Sequence, residues 1–294
     1  MKLFYIQVLY FTIYSFLGWV CETVYCSIGQ KKFVNRGFLN GPFCPIYGFG
    51  ALAVITILSP FVENIPILFI ASIIVTSLLE YVTSFILEKL FHMSWWDYSN
   101  YKFNINGRVC LQNSLMFGVL SLFVMLVVHP AIDDFVSSIN TKVAFVLSIL
   151  FGTYFVVDTI ITSTTILHLN ERLEKLHALH EDLLEKRKKH IEVVKQHLQT
   201  SLASQIEQLG FSRYTPTEME EILSKDFSGN FIKEEHKLIN ELEFEITALN
   251  NKIEALKTKN HNILRRRIIK AFPYMKSLKH NALLQDIKEN INKK

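Results

Sequence analysis

The sequence predicts an all-α polytopic membrane protein with about five transmembrane helices, followed by a cytoplasmic coiled-coil extension. Half of the 294 residues are hydrophobic, and five apolar stretches approach or exceed the roughly 20 residues that a membrane-crossing helix needs. Charge is unevenly distributed as well. Residues 1–167 carry eight Lys or Arg and eight Asp or Glu, whereas residues 168–294 carry 23 and 19. An apolar membrane domain therefore precedes a charged soluble domain.

The predicted spans lie in the transmembrane domain, residues 1–167. They cover residues 3–28, 43–61, 65–90, 111–128 and 143–167. The first stretch is predicted to be a span and not a signal peptide, because its apolar run is too long and no small-residue cleavage site precedes Lys31. The four cysteines lie in or beside spans and form no CxxC motif, so we expect no metal and no other cofactor.

Loop charges predict the orientation in the membrane. Six basic residues belong to the loops after the first and third spans, and two lie on the opposite side. The six are Lys31, Lys32, Arg36, Lys89, Lys102 and Arg108, and the two are Lys2 and Lys142. Because Lys-rich and Arg-rich loops face the cytoplasm, we expect a multi-pass protein with its N-terminus outside and its C-terminal domain in the cytoplasm.

Four acidic residues lie in or at the edge of the spans, all in the predicted cytoplasmic half. They are Glu22, Glu80, Glu88 and Asp158. Glu80 and Asp158 lie about 15 Å from the inner ends of their spans, at about 1.5 Å per residue. A charge at that depth costs several kcal/mol unless it is paired, protonated or hydrated. The acids therefore either form structural contacts, with an Arg or with a backbone group of a neighbouring helix, or line a polar site. Arg36 and Arg108 are the arginines available as partners, and Glu22 and Glu88 can also extend to the interface.

Two unusual loops accompany these acids. "VNRGFLNGPFCPIYGFG", residues 34–50, holds four Gly and two Pro, which predicts a re-entrant or tightly folded loop with Pro45 in the first turn of the next helix. "SWWDYSNYKFNINGR", residues 94–108, contains aromatic residues that favour the headgroup level and an Asn-Gly turn signal. An aromatic belt explains the rings but not the polar residues of this loop, which are Asp97, Asn104, Asn106 and Arg108.

We therefore hypothesise a cytoplasm-facing polar pocket roofed by both loops. Its candidate substrate-binding residues are Glu22, Arg36, Glu80, Glu88, Asp97, Asn104, Asn106, Arg108 and Asp158. The four acids of the spans outnumber the two Arg, which favours a cationic or proton-coupled ligand. Protonation of acids in an apolar environment would weaken that preference.

Three segments carry a resemblance to a known family. "GWVCETVY", "NRGFLNGPFCPIYGFG" and "LEYVTSFILEKLFHMSWWDYSNYKFNINGRVCLQNSLMFG" resemble the bacterial ABC-transporter permease family labelled type IV, or CmpB-like, over about residues 1–165. Besides the candidate residues above, the motif positions are Asn35, Gly37, Gly41, Pro42, Pro45, Tyr47, Gly48, Trp95, Trp96, Tyr98 and Gly107. The resemblance implies a bacterial multi-spanning membrane protein and a transport subunit, and it carries over no catalytic residue.

Residues 168–262 are predicted to form cytoplasmic coiled-coil helices. No Pro or Gly interrupts the chain from Leu169 to Gly210, which allows about 60 Å of helix. A connector, residues 210–231, contains a capping box at Thr215–Glu218. A heptad pattern then runs from Ile239 to Ile263, with Asn260 at a seam position. An intramolecular hairpin and a parallel homodimer would both bury these apolar stripes.

The C-terminal residues, 263–294, form a basic amphipathic tail. They contain nine Lys or Arg and two acids. Attachment to the surface of the lipid bilayer would satisfy this composition, and a solvated tail is the alternative. We expect no binding to nucleic acid on a membrane-anchored chain.

The motif content argues against an enzyme. The sequence contains no GxxxxGK[ST], GxSxG, HExxH or GxGxxG, so an ATPase partner would be a separate protein. Three hypotheses remain. The first is an ABC-type permease-like subunit, the second is a membrane scaffold that recruits partners through its coiled coil, and the third is a lipid-binding or lipid-modifying membrane protein.

Overall fold

The computed structural model describes residues 2–208, 232–258 and 263–292. These residues are mostly helical, and four of the helices are long and apolar enough to cross a membrane. The all-α membrane class is thereby confirmed. The predicted connector, residues 210–231, with its capping box, and Asn260 lie outside the described residues.

The membrane domain is built from six helices in chain order. They are α1 (Lys2–Gln30), α2 (Pro45–Leu58), α3 (Ile65–Phe91), α4 (Leu111–Phe123), α5 (His129–Ser138) and α6 (Thr141–Gln208). A 3₁₀ turn, Ser59–Phe61, follows α2, and a π-helical turn, Val124–Val128, joins α4 to α5. Pro130 offers no N–H to a carbonyl one turn earlier, which favours altered winding at this point.

Four segments qualify as membrane spans by length and hydropathy. They are Phe4–Gln30, Ile65–Phe91, Leu111–Ser138 and Thr141–Val193. The predicted span at residues 43–61 forms a shorter apolar helix, Pro45–Phe61, which is about 25 Å long at 1.5 Å per residue. It begins at Pro45, the residue expected in its first turn. Whether this shorter helix makes a fifth span stays a prediction.

Local signals explain where α3 begins and ends. The side chain of Asn64 accepts a hydrogen bond from the Ile67 amide at 3.2 Å, which caps the first turn. At the other end, His92 adopts a left-handed conformation with φ 49° while its amide donates to the Glu88 carbonyl. This reversal directs the chain into the loop that carries residues 94–108.

Helices α1 and α2 approach each other closely at two glycines. A Cβ atom on Gly48 would lie 2.3 Å from Ser15 Oγ and 2.8 Å from the Phe11 carbonyl oxygen. A Cβ atom on Gly18 would lie 2.4 Å from Tyr47 Cβ. Small residues permit this packing of helix on helix inside a membrane. The close approach also places Tyr47, on α2, beside α1.

Polar side chains also join α1 to α5. The Tyr14 hydroxyl lies 3.1 Å from His129 Nδ1, and the Tyr10 hydroxyl donates to Asp133 Oδ1. A hydrophobic cluster that includes Leu9, Val54 and Leu68 packs between the membrane helices.

Two short antiparallel ladders organise the loop after α3. Strand β2 (Asn104–Ile105) pairs with β3 (Val109–Cys110) around Asn106 and Gly107, whose φ angles are 53° and 67°. Positive φ at both positions is the geometry of a tight hairpin turn. The turn that the Asn-Gly pair predicts is therefore present in the fold. Strand β1 (Met93–Ser94) pairs with β4 (Lys276–Ser277) from the C-terminal segment.

The chain divides into two compact units. One contains residues 1–173 together with residues 260–294, and the other contains residues 174–259. Within the second unit, the distal part of α6 and helix α7 (Ile232–Thr258) are joined by an ion pair between Lys186 Nζ and Glu245 Oε2 at 2.8 Å. A coiled coil, whether an intramolecular hairpin or a homodimer, stays a prediction.

The C-terminal segment, residues 263–292, belongs to the first unit. It consists of α8 (Ile263–Ala271), β4 and α9 (Asn281–Asn292). Both helices have a strongly apolar side, and Ile268, Met275 and Leu284 are buried. Through β4 the segment contacts the loop that follows α3. Attachment of the tail to a membrane surface stays a prediction.

Candidate functional site

Glu22 forms the first polar contact of the site. It lies near the end of α1, where its Oε1 accepts a hydrogen bond from the Tyr47 hydroxyl at 2.6 Å. Its Oε2 lies 3.4 Å from Arg36 Nε. Both partners come from the glycine-rich segment that begins after α1, so its tight fold brings them to the carboxylate. Of the alternatives predicted for Glu22, the structure shows the pair with Arg36.

Glu80 occupies a different environment. It projects from α3, and only 6% of the residue is exposed. Its Oε1 accepts a hydrogen bond from the Tyr98 hydroxyl at 3.1 Å, while its Oε2 is buried with no hydrogen-bond partner among the described residues. Tyr98 is held in place by its amide, which donates to the Gly107 carbonyl at 2.8 Å. Glu22 is close enough to Glu80 for their charges to interact.

We call Glu22, Tyr47, Glu80 and Tyr98 the buried acid cluster, after the buried Glu80, since the other three are half-buried. Its members come from α1, α2, α3 and the loop after α3, so four elements meet there. Burial, followed by the nearby charge of Glu80, raises the pKa of the Tyr98 hydroxyl well above its usual range. Tyr98 is therefore a hydrogen-bond donor to Glu80 and not a competing anion.

Asp158 binds the backbone of the loop after α1. Its Oδ1 accepts from the Asn40 amide at 3.1 Å and from Asn40 Nδ2 at 2.8 Å. Its Oδ2 accepts from the Gly41 amide at 2.9 Å and from the Tyr154 hydroxyl at 3.1 Å. Thr162 adds a longer contact of 3.4 Å. With this many donors both oxygens of the carboxylate are satisfied, an arrangement that can hold the loop in place.

Glu88 and Arg108 form the second acid–arginine pair. Arg108 Nη2 and Nε lie 2.6 Å and 3.0 Å from Glu88 Oε2. The guanidinium also donates to the Tyr81 hydroxyl at 3.2 Å, and Asn106 Nδ2 donates to the same hydroxyl at 3.0 Å. The hydrogen bond to Glu88 raises the pKa of Arg108 above its ordinary value.

Asp97 is paired with the C-terminal segment. Its Oδ2 lies 2.6 Å from Lys276 Nζ, and its Oδ1 accepts from the Ser99 amide at 2.9 Å. The hydrogen bond from Lys276, followed by those from Ser99, lowers the pKa of Asp97 to about 2. Because that pKa is depressed, the stabilisation by this pair is complete above the ordinary value near 3.8 and is lost only as the pH falls toward 2.

The side chain of Asn104 stabilises the hairpin turn. Its Nδ2 donates to the Tyr101 carbonyl at 2.8 Å, and its Oδ1 accepts from the Gly107 amide at 3.1 Å. Trp96 Nε1 donates to the Arg108 carbonyl at 2.9 Å across the same loop. These contacts give the amide and aromatic side chains of the loop a role, because they fix the conformation in which Tyr98 reaches Glu80 and Arg108 reaches Glu88.

Several of the predicted residues line one open polar cleft of about 310 Å³. Its lining includes Glu88, Asp97, Asn106 and Arg108 from the membrane domain and Lys276, Ser277 and Asn281 from the C-terminal segment. The nine candidate residues therefore occupy three places. Glu22 and Glu80 lie in the buried acid cluster with Arg36 beside it, four residues line the cleft, and Asp158 and Asn104 hold loops.

Sequence reasoning missed the contribution of the C-terminal segment. Lys276 enters the cleft, and Arg267 donates to the carbonyls of Gly37 and Phe38 at 3.2 Å and 3.0 Å. Arg267 stands in a run of three arginines, and nothing in its spacing separates it from Arg265 and Arg266. Tyr81 and Tyr154 were missed as well, because a tyrosine inside an apolar span gives no signal of its partner.

A comparison with known families gives one match. Residues 9–163 match the family described as "Putative ABC-transporter type IV". The chain belongs to this family. The match covers more than half of the chain, confirms the resemblance carried by the sequence motifs and includes the whole buried acid cluster. The family region ends before the C-terminal segment. No curated protein and no solved structure matches the chain.

Proposed function

We propose that this protein is a permease-like membrane subunit of an ABC-type transporter, and that its buried acid cluster takes up a cation or a proton from the predicted cytoplasmic side. Family membership and the apolar helices support the membrane transport role. The sequence contains no phosphate-binding loop, so the proposal assigns ATP hydrolysis to a separate protein.

The observation that carries this proposal is the unpartnered oxygen of Glu80. Every other candidate acid has a cation or several donors: Glu22 has Arg36, Glu88 has Arg108, Asp97 has Lys276, and Asp158 has backbone amides. Among the residues that the structure describes, Glu80 has only Tyr98 as a hydrogen-bond partner. A buried carboxylate with an unused oxygen costs several kcal/mol, and a proton or a cation removes that cost.

The position of the cluster suits a transport step. Glu22, Tyr47, Glu80 and Tyr98 come from separate elements, so a shift of α1 or α2 relative to α3 would change the distances between them. Occupancy of the cluster by a cation would therefore favour one arrangement of the helices over another. This coupling between occupancy and helix arrangement is what the proposed transport function requires.

A scaffold role is the second candidate. It is favoured by the pairing of Glu22, Glu88, Asp97 and Asp158, which gives those acids structural functions. A lipid-phosphate role has less support, because Glu88 and Asp97 line the same cleft as Arg108 and Lys276 and offset their positive charges.

Glu80→Gln tests the proposal against the scaffold. Gln keeps the size of the side chain and an oxygen for Tyr98 but cannot exchange a proton or carry a charge. We expect the variant to accumulate and melt within about 1 kcal/mol of the wild type yet to fail to complement a deletion strain. Glu63→Gln, an exposed acid outside the cluster, is the control and should complement fully.

Full complementation by Glu80→Gln would contradict the transport proposal and favour the scaffold. A loss of function that only follows a loss of protein abundance or of melting temperature would do the same.

A further inference from the structure

We propose that the C-terminal segment, residues 263–292, is a latch that covers the loops beside the buried acid cluster, a face that we take as the predicted cytoplasmic entrance to it, and detaches to open that entrance. This inference rests on the proposed function, since it concerns regulation of the same site. The latch lies outside the family match, which ends at residue 163. It is held by three sets of contacts, each to a loop that positions a member of the cluster.

The first contact joins Arg267 to the loop after α1. Its guanidinium donates to the carbonyls of Gly37 and Phe38, while the amides of Asn40 and Gly41, farther along the same loop, donate to Asp158. The loop thus lies between Arg267, which binds its carbonyls, and Asp158, which binds its amides. The opposite charges of these two residues also attract each other.

The contacts of Arg267 do not fully compensate for the loss of its hydration, as we expect of a reversible contact. Burial lowers the pKa of Arg267, so its environment opposes the charged form that makes the contact. Its Nε is also buried without a hydrogen-bond partner among the described residues. Detachment of the segment would return the guanidinium to water and restore that hydrogen bond.

The second contact links the latch to the cluster through Arg36. Arg36 lies 3.4 Å from Glu22 and also donates to the Ala271 carbonyl of the latch. The same guanidinium lies 4.6 Å from the centre of the Phe272 ring, which packs edge-on against Trp95 at 4.8 Å. One side chain therefore contacts both Glu22 and the latch, and release of the latch removes two of the interactions that orient Arg36.

The third contact covers the loop after α3. The β1–β4 ladder spans two residues on each side, and the Leu278 amide donates to the His92 carbonyl at 3.1 Å. The Lys276–Asp97 pair lies beside it. A two-residue ladder is marginal alone, and an ion pair with a half-exposed lysine adds little. The ladder and the ion pair at this edge therefore contribute little free energy to the attachment of the latch.

The latch has internal contacts that do not involve the loops. Lys288 on α9 donates to the carbonyls of Pro273 at 2.8 Å and Met275 at 2.5 Å, and α8 contacts α9. The segment can therefore move as one piece.

Arg267→Glu in the full-length chain tests the latch by hydrogen exchange. The substitution places an anion against two carbonyls and near Asp158. We expect amide exchange in the peptides that contain β1 and β4 to accelerate by about tenfold or more, because such exchange reports local opening. Arg266→Glu makes the same charge change one residue away and should leave the exchange at the wild-type rate.

A second measurement reports whether the entrance opens. Cys44 is 5% exposed, and its Sγ would lie 3.1 Å from a Cβ on Gly37, the residue whose carbonyl Arg267 binds. We expect a water-soluble maleimide to modify Cys44 faster in Arg267→Glu than in Arg266→Glu, as measured by mass spectrometry of the Cys44 peptide. If Arg267→Glu does not accumulate, Phe272→Ala, which removes the ring beside Trp95 and Arg36, takes its place.

The outcomes separate this inference from the proposed function. Unchanged exchange in both latch variants overturns the latch, as does faster exchange with unchanged modification of Cys44, and neither result affects the Glu80→Gln test. If the latch opens as expected but Glu80→Gln complements fully, the segment covers a structural cluster, and its role in regulating transport is overturned.

Discussion

Asp158→Ala is expected to destabilise the membrane domain by about 3–5 kcal/mol, because it leaves several half-buried donors without an acceptor at once. The amides of Asn40 and Gly41 would lose their shared partner, and the tight loop after α1 would no longer be tied to α6. Thermal unfolding of the purified full-length protein in detergent measures this loss.

A control and a conservative variant sharpen the prediction for Asp158. Asp134→Ala removes an exposed acid and should change stability by no more than about 0.5 kcal/mol. Asp158→Asn keeps one acceptor oxygen but turns an NH₂ group toward the donors, so its melting temperature should lie between those of the wild type and Asp158→Ala. If Asp158→Ala melts like the wild type, the carboxylate does not hold the loop, and a binding role for Asp158 becomes the better explanation.

Gly48→Ala is expected to separate α1 from α2 and to destabilise the protein by about 1–3 kcal/mol, the usual cost of overpacking. The new Cβ would lie 2.8 Å from a backbone oxygen, that of Phe11, so a side-chain rotation cannot relieve the contact. Since Tyr47 is the neighbouring residue, we also expect a weaker hydrogen bond to Glu22. The same melting assay detects the effect.

Gly50→Ala is the matched control on the same helix. A Cβ at Gly50 meets nothing within 4 Å, and alanine favours a helix over glycine by about 0.5–1 kcal/mol. Gly50→Ala should therefore be neutral or slightly stabilising. Equal destabilisation by the two substitutions would show that α1 and α2 do not pack as described.

Composition and hydropathy patterning predicted the fold class, because a helix that crosses lipid must be apolar along its whole length and the sequence shows this directly. The Asn-Gly turn was equally predictable, since its positive φ angles restrict the residues that fit. Arg36 and Arg108 could be named as partners for the acids because they were the two arginines in the loops next to the acids. Both ion pairs are present in the structure.

The separation of the candidate residues among the cluster, the cleft and the loops could not be predicted in the same way. Asp158 is satisfied mainly by backbone amides and nearby hydroxyls, and amides carry no sequence signal. Likewise, the contacts of residues 263–292 with the loops could not be predicted, because charge and amphipathicity do not distinguish lipid headgroups from loop carbonyls as partners. Arg267 donates its hydrogen bonds to such carbonyls.

The most direct test of the central claim, that Glu80 is a buried carboxyl poised to bind a proton or a cation, is modification by a hydrophobic carbodiimide. This reagent attacks protonated carboxyl groups in apolar surroundings. We predict that peptide mass spectrometry of the purified full-length protein finds Glu80 modified before Glu22, Glu88 and Asp158, whose oxygens have cationic or amide partners. Modification of those three acids at the same rate as Glu80, or an unmodified Glu80, would contradict the account.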